Sequence, residues 1–279
     1  MRHACRVGRP GLRGVPVSSP GGNRLPARFR GSDFHPVVGM PALAAGPARA
    51  RASNHPGGKV KAILAIETST KDYSVAIGTD SAASVRLTTT RFEPDFDGIA
   101  GLVDKALAEA GIRSSDLAAV AVDIGPGNLT SVRAGVAYAN GLAYALDLPM
   151  YATDSLSVMA HSVPADSPVL ALRPARGVAS SEVYAGIYVP GRPATLRRGD
   201  YWVIIDEVAN SLAEQGFDSL TVVGAYRPEM TDVSTSLKVQ DGGPAAPDAS
   251  TLLAMAQAGE ERMSPGPVGP LTEESETFL

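Results

Sequence analysis

Apolar residues first fall into order at Ala62-Ile63-Leu64-Ala65-Ile66, a run that ends in Glu67-Thr68-Ser69-Thr70 and resumes at Tyr73–Gly78. A strand, a polar turn and a second strand produce that pattern, and a third strand is expected over Ala83–Thr89. From Asp97 to Ala110 the period changes: Ile99, Leu102, Val103, Ala106, Leu107 and Ala110 recur at helical spacing, and Gly111 supplies the stop. Leu117–Val122 then predicts a buried strand, followed by a glycine-rich turn, Asp123-Ile124-Gly125-Pro126-Gly127-Asn128-Leu129, and a helix over 131–146 that Thr130 could cap. Val132, Val136, Ala139, Ala143 and Leu146 form its apolar stripe. Gly135, Ala139 and Gly141 permit a close backbone approach, internal or intermolecular.

A short strand is expected at Pro149-Met150-Tyr151 and a helix from Asp154 to His161, with a lobe boundary in the Pro/Ser/Asp-rich stretch 164–168. Beyond it, Pro168–Leu172 and Glu182–Val189 predict strands around an insertion-like loop, Arg173–Ser181. A helix over Asp206–Gln215, a strand over Leu220–Gly224 and a final helix over Ser250–Ala258 follow; Tyr184, Tyr188, Tyr201 and Trp202 read as sheet-packing aromatics. The alternation is that of an α/β protein with two lobes, 61–163 and 164–260, and a tail, 261–279, that is flexible or docked on the surface.

Charge separates the first sixty residues from this pattern. The net charge of −4 is the difference between +10 over residues 1–61 and −14 over residues 62–279. Ten Gly and eight Pro in residues 1–60, with no periodic apolar run, predict an unstructured basic extension. An overlong gene start is the companion reading, with Met40 or Val60 as the alternative start; nucleic-acid contact and targeting are the others. No stretch has the order of a secretory signal or about twenty continuous apolar residues, so a cytoplasmic location and no membrane span are expected.

The chemistry available is narrow. Cys5 is the only cysteine, and of His3, His35, His55 and His161 only the last lies beyond the extension, so a Cys nucleophile or a His metal cluster in the globular part is excluded. His161 reads as a helix-end residue. Ser69, Ser74 and Ser131 lack a nucleophile elbow. Glu67 and Asp123 end two apolar runs, where paired carboxylates could hold Mg²⁺ or accept protons, or could simply cap the turns that follow. Gly125 and Gly127 could cradle an anion with Lys71 nearby, or form a tight structural turn; Pro126 offers no N–H, and no Walker lysine follows. Arg133 could brace that turn or meet a carboxylate.

Ile63-Leu64-Ala65-Ile66-Glu67-Thr68-Ser69-Thr70, then Gly125-Pro126-Gly127-Asn128-Leu129-Thr130-Ser131-Val132-Arg133-Ala134-Gly135 and Gly141-Leu142-Ala143, resemble the TsaB (YeaZ) family of tRNA threonylcarbamoyladenosine biosynthesis. The resemblance implies an actin/Hsp70/sugar-kinase-like (ribonuclease H-like) fold. It implies a noncatalytic companion and activating subunit for a TsaD-like transferase, with a TsaE-like ATPase in the bacterial complex and tRNA reached through that complex. It implies no metal and no cofactor for this chain, the metal and ATP belonging to partners; the residues themselves leave Glu67, Lys71, Asp123, Gly125 and Gly127 as candidates for weak nucleotide binding. Ile99, Leu102, Val103, Val132, Val136, Ala139 and Ala143 are expected to form the partner interface, or a homodimer through the same face. The family's usual Pro-x-Tyr-Leu-Arg ending is absent from this tail. The competing reading is a divergent nucleotide-dependent acyl-, phosphoryl- or carbamoyl-transfer enzyme built on Glu67, Asp123 and the Gly125–Gly127 turn.

Overall fold

A computed structural model describes residues 62–79, 82–164, 166–176, 180–224, 237–243, 245–259 and 266–271. The expectations for residues 1–60 lie outside the described residues. The first half of the chain gives β1 (Ala62–Glu67), β2 (Asp72–Thr79), β3 (Ala82–Thr90), α1 (Gly98–Ala110), β4 (Leu117–Asp123), α2 (Leu129–Leu146), β5 (Met150–Thr153) and α3 (Ser155–Ala160). The second gives β6 (Val169–Pro174), β7 (Glu182–Tyr188), β8 (Thr195–Asp200), α4 (Tyr201–Glu214), β9 (Ser219–Gly224), β10 (Lys238–Asp241) and α5 (Ala249–Ala258).

The strands form two five-stranded sheets, ordered β3-β2-β1-β4-β5 and β8-β7-β6-β9-β10. In each, the first strand of the lobe runs antiparallel to the second and parallel to the fourth. The second lobe therefore repeats the topology of the first.

Side-chain size along β1 and β4 decides what covers each face of the first sheet. Leu64, Ile66, Val120 and Val122 point toward α1 and α2, whose Leu102, Val103, Val132 and Val136 complete a core of large side chains. The opposite face carries Ala65, Ala76, Ala119 and Ala121, and these small residues let α5 settle close to the sheet through Leu252, Leu253 and Ala256. Burying one such leucine contributes about 1.5–3 kcal/mol.

The late helix thus belongs, by packing, to the first sheet, although its sequence position assigns it to the second lobe. The reverse holds for α3: Leu156, Met159 and Ala160 pack against Val169, Ala171, Tyr184 and Val223 of the second sheet. The lobes exchange helices, and the boundaries expected at 163/164 and 260 separate sheets, not independently covered cores. On its other face the second sheet is covered by α4 through Ile204, Ile205, Val208 and Leu212.

Several element ends differ from the sequence expectation. Helix α2 starts at Leu129, and Asn128, not Thr130, caps it by accepting from Ser131 N. Helix α4 starts at Tyr201, so Tyr201 and Trp202 are helical, with Asp200 accepting from Trp202 N and Val203 N. The tail docks where it is described: Asn140 of α2 donates to Val268 O at 2.8 Å and accepts from Val268 N at 2.9 Å, and Leu271 N donates to Ile124 O at 2.7 Å.

Candidate functional site

Parallel pairing of β1 with β4 places their C-terminal ends side by side, which brings Glu67 and Asp123 to one crevice. Strand β6 delivers Arg173 to the same place from the other lobe. Both carboxylates are fully buried, at 0% exposure.

Each carboxylate first serves the turn that follows it. Glu67 Oε1 accepts from Ser69 N at 2.6 Å and Ser69 Oγ at 2.5 Å. Asp123 Oδ1 accepts from Gly125 N at 2.7 Å, and Ser155 Oγ lies 2.7 and 2.8 Å from its two oxygens. Arg173 then closes the crevice: Nη1 donates to Ser69 Oγ at 2.8 Å and Nη2 to Ser69 O at 2.5 Å. Among the described residues, Glu67 Oε2 has no hydrogen-bond partner.

Burial is the first cause that raises the Glu67 carboxyl and Asp123 the second; hydrogen bonds from Ser69 and the charge of Arg173 oppose them, and the group stands at about 8. Asp123 is raised as well, by burial, against the hydrogen bonds from Gly125 and Ser155 and the charge of Arg173, with Asp154 adding to the rise. Burial lowers the Arg173 guanidinium while both carboxylates support its charge, and a guanidinium remains cationic at neutral pH. Two carboxyls in so dry a site retain one proton between them. The remaining negative charge is matched by Arg173.

The glycine-rich turn is tightly fitted to this cluster. A Cβ on Gly127 would lie 2.5 Å from Ser69 O and 3.0 Å from Arg173 Nη2. Two amides of the turn are committed internally: Gly125 N to Asp123, and Asn128 N to Ser69 O at 2.9 Å. Of the proposed nucleotide residues, the structure brings Glu67, Asp123, Gly125 and Gly127 together, and leaves Lys71 exposed just beyond them. Arg133 is exposed on α2, and His161 ends α3, with Nδ1 2.8 Å from Ser157 O. Among the described residues no group of three or more His, Cys, Asp or Glu side chains could hold a metal ion, and no helix is long and apolar enough to cross a membrane.

The expected interface residues are corrected by burial. Leu102, Val103, Val132, Val136, Ala139 and Ala143 are buried in the core of the first lobe, and Ile99 is partly buried against it. Amphipathic spacing identified the face turned to the sheet, and that face is already occupied. The close approach permitted by Gly135 is likewise internal, since its Cβ would strike the side chain of Thr68, whose Oγ1 donates to Ser131 O at 2.9 Å. Gly135→Val is expected to cost about 3 kcal/mol through overpacking, measured by urea denaturation; an unchanged midpoint would contradict this fit. Gly141, by contrast, faces open space.

The described residues form two α/β lobes of repeated topology, with Glu67 and Asp123 at neighbouring strand ends of the first and Arg173 reaching them from the second. Residues 97–189 match the family described as "TsaD: tRNA N6-adenosine threonylcarbamoyltransferase". A tRNA N6-adenosine threonylcarbamoyltransferase of Thermus thermophilus is 36% identical over 109 residues, 34% of this chain and 34% of that protein. The TsaB protein of Escherichia coli K12 is 36% identical over 98 residues, 35% of this chain and 42% of that one. The chain thus spans well under half the length of these curated relatives. YeaZ from Pseudomonas aeruginosa shares the fold, with a TM-score of 0.58 at 22% identity over 76% of this chain and 99% of that one. A second Pseudomonas aeruginosa structure, described as similar to peptidase YEAZ, gives a TM-score of 0.62 at 23% identity with the same coverage. Over about a third of its length the chain is thus similar in sequence to both TsaD and TsaB proteins, and it shares the fold of the YeaZ structures.

The residue that sequence reasoning passes over is Arg173. The sequence pattern assigns it to a loop, yet it lies within β6, opposite Tyr184 of β7. Its partner Ser69 is 104 positions away, and no local pattern signals that pairing.

Proposed function

We propose that this chain is a noncatalytic companion subunit that binds and activates a TsaD-like transferase in threonylcarbamoyl modification of the tRNA adenosine beside the anticodon. The observation that carries this reading is the closed crevice. Its carboxylates are fully buried, and Gly125 N and Asn128 N are bonded internally, whereas a catalytic group must touch a substrate. Metal and ATP then belong to the partner subunits, a TsaE-like ATPase among them, and the setting is the cytoplasm. The acidic body, −14 over residues 62–279, supports tRNA contact made chiefly by a partner.

The surface offered to the partner is the outward side of α2, where Arg133, Ala134, Ala137 and Gly141 are exposed and Tyr144 is 92% exposed. Small residues there allow a second helix to approach closely, and Tyr144 supplies an aromatic anchor. In the absence of the partner the same face pairs with itself as a homodimer. Ala137→Arg is expected to leave folding unchanged and to weaken complex formation more than about tenfold, as expected for a charge forced into a packed interface, read by calorimetry with the cognate TsaD-like protein and by nucleoside analysis of the modified tRNA. Full binding and full modification by this variant would remove α2 from the interface; the absence of any complex with the parent chain would remove the companion role.

One observation favours the enzyme reading: a carboxyl held near neutral pH suits proton transfer. Under that reading the isolated chain binds ATP, and Glu67→Ala abolishes binding without unfolding. Titration calorimetry with ATP and Mg²⁺ decides between the two.

A further inference from the structure

We propose that Arg173 is a built-in latch between the lobes, an internal counter-ion that holds the crevice shut with no bound ligand. In this arrangement the guanidinium reaches from β6 of the second lobe to both Ser69 Oγ and Ser69 O at the end of β1 in the first. Ser69 Oγ passes the connection on by donating to Glu67 Oε1. Ser69 O also accepts from Asn128 N, so the guanidinium, the β1–β2 turn and the start of α2 share a single carbonyl. Gly127 leaves the space into which Nη2 fits.

Charge gives the latch its strength. The groups that face the cluster are Glu67 from β1, Asp123 from β4, Arg173 from β6 and, more remotely, Asp154 at the start of α3. With one proton held by the Glu67–Asp123 pair, a single cation neutralises what remains, and Arg173 is the cation provided. A hydrogen bond to a charged donor in a half-buried site is about twice as strong as a neutral one, and two of them converge on one residue. Among the described residues the lobes also meet through the exchanged helices α3 and α5, which can slide as packed layers. The latch stops that motion at the strand ends. It does so in the place where a ligand cation would otherwise be needed to balance the carboxylates, and it uses the chain's own side chain instead. The consequence is a body of fixed shape whose lobe angle does not respond to nucleotide.

This inference stands apart from the companion role, because it is tested on the full chain alone. Spin labels would be placed at Lys105→Cys on α1 and Asn210→Cys on α4 in a Cys5→Ser background, and the interlobe distance measured by pulsed electron resonance. The parent is expected to give one narrow distribution that ATP with Mg²⁺ leaves unchanged. Arg173→Met is expected to give a longer, broader distribution, and the Ser69 and Asn128 amides to exchange about tenfold faster. Arg173→Lys, with a charge but no fork, is expected to fall between them. Should Arg173→Met not fold, Asp123→Asn combined with Arg173→Met removes the uncompensated charge and reports the same distance. An unchanged narrow distribution in either methionine variant, or an ATP-dependent shift in the parent, would overturn the latch.

Discussion

Stability of this protein should fall as pH rises from about 5 toward 8, and Glu67→Gln should flatten most of that slope. The sign follows from the raised carboxyl. Glu67 stands at about 8 in the folded chain against 4.5 for the free side chain. Between those values the folded state holds a proton that the unfolded state has released, so each pH unit costs about 1.4 kcal/mol of folding stability. The contribution is fully present below about 4.5 and is lost by the time the folded group ionises. A glutamine side chain in place of Glu67 would keep the neutral shape at every pH and remove this dependence. Urea midpoints measured at intervals between pH 5 and 8 test it. A parent chain whose stability rises across that window, or a Glu67→Gln variant with the same slope as the parent, would mean that the carboxyl is ionised in its buried site.

The second large effect is expected at Leu252. This residue on α5 is fully buried against the alanine face of the first sheet. Leu252→Ala should cost about 2–5 kcal/mol, and Leu252→Asp more, because the carboxylate would face Ala65, Ala119 and Ala121 with no partner. The location of the damage is the sharper test. Although position 252 follows every strand of the second lobe, the loss of protection from hydrogen exchange should centre on β1 and β4 of the first. Exchange that rose chiefly in β6 and β9 would contradict the exchanged-helix packing.

The parts of this fold that are legible in the sequence are those whose signal is local. Strands β1, β2 and β4 are nearly continuous apolar runs because both of their faces are covered, and α1 announces itself by its period and by Gly111. The missed strands are edges: β8 (Thr195–Asp200) contains one aliphatic residue among polar ones, and β10 (Lys238–Asp241) is largely exposed. Edge strands satisfy one ladder and face solvent, so they need no apolar alternation. Tyr201-Trp202-Val203-Ile204-Ile205 has the composition of a strand, and the packing of Ile204, Ile205 and Val208 against the second sheet overrides that preference. Asp200 is the available cue, a capping residue immediately before the run. In the crevice, Glu67 and Asp123 can be placed because each ends a strand. Arg173 cannot, since it acts on a residue far away in sequence, and the apolar stripes of α1 and α2 point to the core because periodicity reports burial without naming what does the burying.

The tail is held through its backbone. Residues 266–271 lie docked, and the clamp that holds them is simple: Asn140 addresses only the N–H and C=O of Val268. Every residue except proline presents that same pair of groups. The clamp therefore constrains the side chain at 268 only by excluding proline, and what side-chain preference the position has comes from the packing of Val268 against the first core.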